Sequence, residues 1–199
     1  MTRVTLSPRR PGALLLLLLV CLVLAHCTKP QFNNIDISGS DYARDFTLTD
    51  AGGARRTLAD YRGKVVVLFF GYTHCPDVCP TTLAELARTR KLLGADASRV
   101  QVLFVTLDPE RDTPQLIGRY AMAFDPSFVG LTGTGPQIAG VAREFKVFFQ
   151  KVAGSTPDSY TLDHTSGSFV FDPQGHVRLY VRDGAPADQM ASDLKRLLG

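Results

Sequence analysis

The feature that most constrains this chain of 199 residues is a buried-strand pattern that leads into two cysteines and then into a helix. Residues 65–70 are a continuous apolar run rich in β-branched and aromatic side chains, which predicts a strand buried on both faces. Residues 80–93 have helix composition. Pro80 disfavours helical geometry at the residue before it, so Cys75 and Cys79 are predicted to lie in a loop that leads into the helix. Ligand-binding and active sites in open α/β sheets lie where a strand ends and a helix begins, so a site is predicted at this loop.

Strand-like and helix-like segments alternate along the rest of the chain. Residues 46–49 and 56–58 are predicted to form a hairpin across a glycine turn at 50–53. The other predicted elements are a buried strand at 100–105, helices at 114–123, 137–145 and 186–198, and a final hairpin of strands at 168–171 and 177–181. This order predicts an α/β, thioredoxin-like fold, with a central mixed sheet flanked by helices and an N-terminal β-hairpin.

The first 27 residues are predicted to be a targeting segment outside the folded domain. Arg3, Arg9 and Arg10 precede an unbroken apolar run at 13–25, which is typical of an export signal or a short uncleaved membrane anchor. Both alternatives place the remainder outside the cytoplasm. The net charge of +3 equals the charge of these three arginines, since residues 1–26 hold no other charged side chain. A neutral domain argues against nucleic acid as a partner.

The end of this segment bears on how the protein is anchored. Residues 24–27 resemble a bacterial lipoprotein cleavage site, in which the cysteine becomes lipidated. We therefore expect the domain on the periplasmic side of the inner membrane, held by a lipid on Cys27 or by the uncleaved N-terminal segment. Residues 28–44 contain few apolar groups and are predicted to be a tether. The folded domain is then expected to span residues 45–199.

Cys75 and Cys79 are the two cysteines of the expected domain. Such a close pair in an oxidising compartment can be a structural disulfide, a redox couple or a metal clip. A structural disulfide is the weakest alternative, because so short a loop gains little stability from closure. The predicted helix N-terminus places partial positive charge near both sulfurs, which is expected to lower the thiol pKa and favour thiolate. Thiolate is the form that attacks disulfides and that binds metals.

A metal site needs a third ligand, and His164 is the best candidate. His26 lies in the leader, His176 lies beside a predicted surface turn, and the side chain of His74 should point away from that of the adjoining cysteine. His164 precedes the predicted strand at 168–171, a position that faces the cysteine loop in thioredoxin-like folds. Two thiolates and one imidazole form a soft donor set that favours copper, with zinc second because structural zinc prefers four ligands.

Three segments of the sequence resemble the SCO/SenC family of copper-binding proteins, which assist assembly of cytochrome c oxidase. The matching segments follow the family's order and are 71–80 (GYTHCPDVCP), 107–114 (LDPERDTP) and 163–165 (DHT). The resemblance implies a thioredoxin-like fold over residues 45–198 and copper bound by Cys75, Cys79 and His164. It also implies delivery of copper to the binuclear copper site of the oxidase, or reduction of the cysteines of that site.

The expected partner is therefore the copper-bearing subunit of cytochrome c oxidase, with a thioredoxin-like reductant or another copper chaperone as a second partner. Several alternatives stay open. The redox-active dithiol of Cys75 and Cys79 can serve a metal-free thiol–disulfide oxidoreductase of the cell envelope, a function that leaves His164 without a role. The segment from Asp108 onward is either a turn before a capped helix or a functional element. Asp77 and Asp163 either support the ligands or face a partner.

Overall fold

The computed structural model describes residues 31–156 and 159–199, so the predicted targeting segment and Cys27 lie outside the described residues. The strands are β1 (Ile35–Asp36), β2 (Thr47–Asp50), β3 (Arg55–Thr57), β4 (Val65–Gly71), β5 (Val100–Thr106), β6 (Val129–Thr132), β7 (Phe149–Ala153), β8 (Tyr160–His164), β9 (Gly167–Phe171) and β10 (Val177–Arg182). The helices are α1 (Val78–Leu93), α2 (Pro114–Met122), α3 (Gly135–Glu144) and α4 (Ala187–Leu198), with short 3-10 helices at Leu58–Tyr61 and Gly94–Arg99. Within this part of the chain, no helix has both the length and the apolar character needed to cross a membrane.

Eight strands form one mixed sheet in the order β1-β10-β9-β4-β5-β6-β2-β3. Strands β4, β5 and β6 run parallel, and the other neighbours run antiparallel. Every residue of β4 and β5 is buried, as their continuous apolar sequences predict. Strands β7 and β8 form a separate two-stranded hairpin. The mixed central sheet with its helices confirms the predicted fold class.

Both predicted hairpins form. In the N-terminal one, Thr47 pairs with Thr57 and Leu48 with Arg56, and β2 joins the sheet beside β6. Its turn contains Gly53 at a φ of 81°, a conformation that glycine adopts without steric cost. In the C-terminal hairpin, β9 pairs with both β10 and β4. The C-terminal hairpin therefore makes the sheet mixed, as expected.

The cysteine-bearing helix begins earlier than predicted. Helix α1 starts at Val78, so Cys79 lies in its first turn and not in the preceding loop. The prediction overstated the effect of Pro80, because proline is tolerated in a first turn, where backbone N–H groups have no partner within the helix. Helix α1 packs against α4, so the site rests on two paired helices.

The predicted tether over residues 28–44 is wrong from Asn33 onward, where the chain is part of the folded domain. Strand β1 pairs with β10, and Ala43 is fully buried. The buried carboxylate of Asp193 accepts hydrogen bonds from the backbone and side-chain nitrogens of Asn33 and Asn34 at 2.8–3.0 Å. We call this contact of Asn33, Asn34 and Asp193 the N-terminal clasp. Local sequence gives no sign of it, because the carboxylate lies 160 residues away in the chain.

The sequence did not predict β6 or the β7–β8 hairpin. Strand β7 is half-buried at Phe149 and exposed at its other residues, so it has no core-facing pattern. Strand β8 alternates between exposed and inward residues, with Leu162 buried at its centre. His164 is the last residue of β8 and is thus fixed by a strand, where the sequence suggested a loop.

Candidate metal centre

The cysteine loop follows the carboxyl end of β4, where the sequence predicts a site. Cys75 and Cys79 are both free thiols in this structure. Cys79 is fully buried, whereas Cys75 is half-buried. The backbone N–H of Cys79 donates to Sγ of Cys75 at 3.4 Å. The positive end of helix α1 therefore faces the more accessible of the two sulfurs.

His164 meets the cysteines from the end of β8. Its Nε2 lies 3.9 Å from Sγ of Cys79, and its Nδ1 lies 3.0 Å from the carbonyl oxygen of Thr165. A carbonyl oxygen can only accept, so Nδ1 carries the proton. In the neutral ring this leaves the lone pair on Nε2, the form in which histidine binds metals. The Tyr72 ring packs edge-on against the imidazole, with centroids 6.1 Å apart.

The protonation of Cys79 differs from the expectation based on the helix N-terminus. Burial raises the pKa of the Cys79 thiol well above its usual range, and its hydrogen bond with the Cys75 side chain raises that pKa further. Desolvation of a buried sulfur outweighs the partial charge of the helix end. The predicted lowering of the thiol pKa is therefore wrong for Cys79. A metal ion that binds this sulfur must displace a proton.

The separation of Cys79 Sγ and His164 Nε2 suits two ligands of one ion. A metal bound at about 2.3 Å from sulfur and about 2.0 Å from nitrogen holds these donors roughly 3.5–3.8 Å apart in tetrahedral or trigonal geometry, and here they are 3.9 Å apart. In residues 31–156 and 159–199, no three His, Cys, Asp or Glu side chains already form a complete ligand set. Cys75 lines the adjoining cleft together with His164, and its Sγ accepts the backbone N–H of Cys79, so all three candidate donors lie at one edge of the sheet. The residues present therefore fit a soft site with three ligands.

Gly71 allows helix α1 to approach the end of β4 closely. A Cβ at this position would lie 2.7 Å from Sγ of Cys79 and 2.8 Å from Cε2 of Phe104. Both neighbours are buried, so a larger residue would displace the sulfur or the ring. The glycine at the start of the cysteine segment thus contributes to where the Cys79 sulfur lies.

An open cleft of ≈380 Å³ lies beside Cys75 and His164, the two candidate ligands that reach the surface. Cys75 and His164 line it, together with Asp77 and Asp163. Both carboxylate residues are exposed, so they face the solvent at the rim. This position agrees with the alternative that Asp77 and Asp163 face a partner.

The other two histidines of the domain reach the solvent, which was the expectation for His176. The side chain of His74 is 52% exposed, and its Nδ1 lies 3.1 Å from the hydroxyl of Thr73. The side chain of His176 is 76% exposed and lies beside Asp172 at the β9–β10 turn. Because β9 runs antiparallel to β4, that turn is at the end of the sheet opposite the cysteines. His164 is thus the histidine that the fold brings to the dithiol.

Asp112 supports the cysteine loop and was not identified from the sequence. Its fully buried carboxylate accepts hydrogen bonds from the backbone and hydroxyl of Thr73 at 3.0 and 2.5 Å and from the hydroxyl of Thr106 at 2.6 Å. Thr73 lies in the loop and Thr106 ends β5, so Asp112 fixes the loop to the neighbouring strand. Thr113 caps α2, as the sequence suggested. The segment after β5 is therefore both a helix cap and a support for the site.

Comparison with known proteins agrees with the predicted family and fold. The family model SCO1/SenC matches residues 36–199. The chain is 38% identical over 154 residues to the mitochondrial SCO2 homolog of Bos taurus, a match that covers 76% of this chain and 58% of that relative. The chain thus spans less than two thirds of that relative's length.

Two solved structures extend the comparison. The ScoI protein of Bradyrhizobium japonicum, solved with copper bound, is 40% identical with a TM-score of 0.71, over 77% of this chain and 97% of that one. BsSco is 23% identical with a TM-score of 0.63, over 83% of this chain and 98% of that one, a likeness that concerns the fold alone. BsSco is described as a member of the Sco family of cytochrome c oxidase assembly proteins.

The fold and the site define a thioredoxin-like dithiol protein in which a histidine on a separate β-hairpin lies beside the cysteine pair. The chain belongs to the SCO1/SenC family, as its three matching segments indicated.

Proposed function

We propose that this chain binds one copper ion through Cys75, Cys79 and His164 and assists assembly of the binuclear copper site of cytochrome c oxidase. The observation that carries the proposal is the approach of His164 Nε2 to Cys79 Sγ while the ring proton is held at Nδ1. A metal site uses that lone pair, whereas dithiol chemistry has no need of it. Two sulfurs and an imidazole suit Cu(I), and the same set with an open position can hold Cu(II). The copper-bound ScoI supports copper over zinc.

The two sulfurs have unequal access to a partner. Cys75 lines the cleft, whereas Cys79 is fully buried in the first turn of α1. A protein that accepts or donates copper therefore approaches from the side of Cys75, past the exposed carboxylates of Asp77 and Asp163. The proposed partner is the copper-bearing subunit of the oxidase, with a thioredoxin-like reductant or another copper chaperone supplying electrons or copper.

The free thiols and the open cleft also support a second function, the reduction of a disulfide in the partner's copper site. The Cys75 thiolate would attack that disulfide, form a mixed disulfide and release one partner thiol. Cys79 would then attack Sγ of Cys75, which closes the Cys75–Cys79 disulfide and releases the second partner thiol. Two electrons pass to the partner, and a separate thiol reductant must restore the dithiol. This reaction leaves the imidazole unused, so copper binding is the preferred function.

We also propose that the domain works on the periplasmic side of the inner membrane, held by a lipid on Cys27 or by the uncleaved N-terminal segment. The basic start and the apolar run of the sequence support this location. Flotation of the full chain with membranes tests it, with Cys27→Ser as the matched variant. Recovery of the full chain as a soluble cytoplasmic protein would contradict the proposal.

Copper titration of the reduced protein, followed by exposure to the apo copper-bearing subunit, tests the main proposal. We expect one copper ion per chain and its transfer to the subunit. The His176→Ala variant is the control and should bind and transfer copper like the wild type, because its side chain lies at the opposite end of the sheet. If the wild type binds no copper yet produces free thiols on an oxidised subunit, the second function is the correct one.

A further inference from the structure

A cluster of side chains outside the metal centre joins the β7–β8 hairpin to the loop after β5. The hydroxyl of Tyr160 donates to the buried carboxylate of Asp108 at 2.8 Å. The guanidinium of Arg111 stacks on the Tyr160 ring, 3.6 Å from its centroid, and donates to the Tyr160 carbonyl at 3.0 Å. Arg111 also pairs with Asp108. We call Asp108, Arg111 and Tyr160 the hairpin latch.

A second ion pair reinforces the latch from the β7 side. The ammonium of Lys151 lies 4.7 Å from the centroid of the Tyr160 ring and 2.7 Å from a carboxylate oxygen of Glu110. Tyr160 is therefore in contact with two cations through its ring and with one carboxylate through its hydroxyl. Burial and the hydrogen bond to Asp108 raise the pKa of Tyr160 to about 12, so its hydroxyl stays a donor at neutral pH.

Strand β8 connects the latch to the metal centre. Tyr160, Leu162 and His164 face inward, whereas Thr161 and Asp163 are exposed, which is the alternation of a strand. Tyr160 and His164 are thus on one face, about 13 Å apart at about 3.3 Å per residue. In the described part of the chain, β7 and β8 pair with each other and not with the main sheet. Side-chain contacts such as the latch therefore set the orientation of the hairpin relative to the cysteines.

We propose that Tyr160 is a positioning residue that keeps His164 within reach of Cys79. The inference rests on the proposed function, because it takes His164 as a copper ligand. The cysteines belong to the β4–α1 segment, so loosening the hairpin moves the imidazole and leaves the dithiol in place. The latch therefore controls how well the imidazole binds copper without changing the chemistry of the dithiol.

The Tyr160→Phe variant tests this role, because it removes the hydroxyl and keeps the ring. We expect its Cu(II) affinity to fall about 10-fold, as is typical when a group that orients a metal ligand is lost. The imidazole nitrogen coupling in the electron paramagnetic resonance spectrum of the Cu(II) form should weaken. The dithiol midpoint potential should stay at the wild-type value. Tyr61→Phe is the matched control, since Tyr61 is a half-buried tyrosine in the short 3-10 helix before β4.

A second variant, Arg111→Lys, keeps the charge of the latch and removes its planar stack on Tyr160. It should also lower the Cu(II) affinity. If Arg111→Lys fails to fold, the result for Tyr160→Phe alone tests the positioning role. If Tyr160→Phe keeps the wild-type Cu(II) affinity while His164→Ala loses it, the positioning role of Tyr160 is overturned and the proposed function stays intact. Equal copper binding by wild type and His164→Ala would overturn the proposed function itself. A shift of the dithiol potential as large as the loss of Cu(II) affinity would indicate general damage and also overturn the positioning role.

Discussion

Replacing His164 with alanine is expected to remove most Cu(II) binding and to weaken Cu(I) binding, while Cys75 and Cys79 still oxidise reversibly. Cu(II) depends more strongly on the nitrogen donor, whereas two thiolates alone still attract Cu(I). The loss of Cu(II) affinity should exceed the roughly 10–100-fold that follows removal of a group outside the ligand set. Competition titrations with each copper ion, together with the dithiol midpoint potential, measure the two effects separately.

The cysteine variants are expected to lose both properties. Cys75→Ser and Cys79→Ser should each abolish copper binding and reversible oxidation, because one thiol can neither close the disulfide nor complete the pair of soft ligands. His176→Ala should change neither property. A His164→Ala protein that binds both copper ions like the wild type would exclude the third ligand and favour the metal-free oxidoreductase.

Oxidation of the pair to the Cys75–Cys79 disulfide is expected to abolish Cu(I) binding. Sulfurs joined to each other cannot act as thiolate ligands, so metal binding and disulfide formation exclude one another. Bound Cu(I) should in turn protect both thiols from oxidation. Titration of the oxidised and reduced forms, with thiol counts before and after oxidant in the presence of Cu(I), measures both sides of this exclusion.

Treatment with a reductant is the control for the mutual exclusion of Cu(I) binding and disulfide formation. Treatment of the oxidised protein with a dithiol should restore one Cu(I) per chain. His164→Ala should show the same dependence on redox state for its remaining Cu(I) binding, because the exclusion resides in the sulfurs. Equal Cu(I) affinity of the oxidised and reduced wild type would mean that the cysteines are not the ligands.

The central elements of the fold could be predicted from the sequence because their signals are local. The apolar run of β4 and the composition of α1 each predict an element within one segment of chain. The β7–β8 hairpin could not be predicted in this way. Strand β7 is almost wholly exposed, and the contacts that join the hairpin to the loop after β5 include those of Tyr160 with Asp108 and Arg111, about 50 residues earlier in the chain.

At the candidate site too, features set by the local sequence could be predicted, and features set by tertiary contacts could not. The spacing of Cys75 and Cys79 and the segment around His164 were sufficient to choose these three residues as candidate ligands. The pKa of Cys79 could not be predicted, because it depends on complete burial of the sulfur, and burial outweighs the helix end that the sequence reveals. Asp112 was missed for a related reason, since its partners Thr73 and Thr106 meet it only in the folded chain.

The N-terminal clasp determines how far the protein can be shortened for work in solution. The SCO1/SenC match begins at residue 36, so a fragment cut there would retain the whole region that defines the family. That fragment would lack Asn33 and Asn34 and leave the buried Asp193 carboxylate without these donors, at a cost of the order of 3 kcal/mol. A recombinant domain that starts before Asn33 keeps these hydrogen bonds, so it is expected to be more stable than a fragment cut at the family boundary.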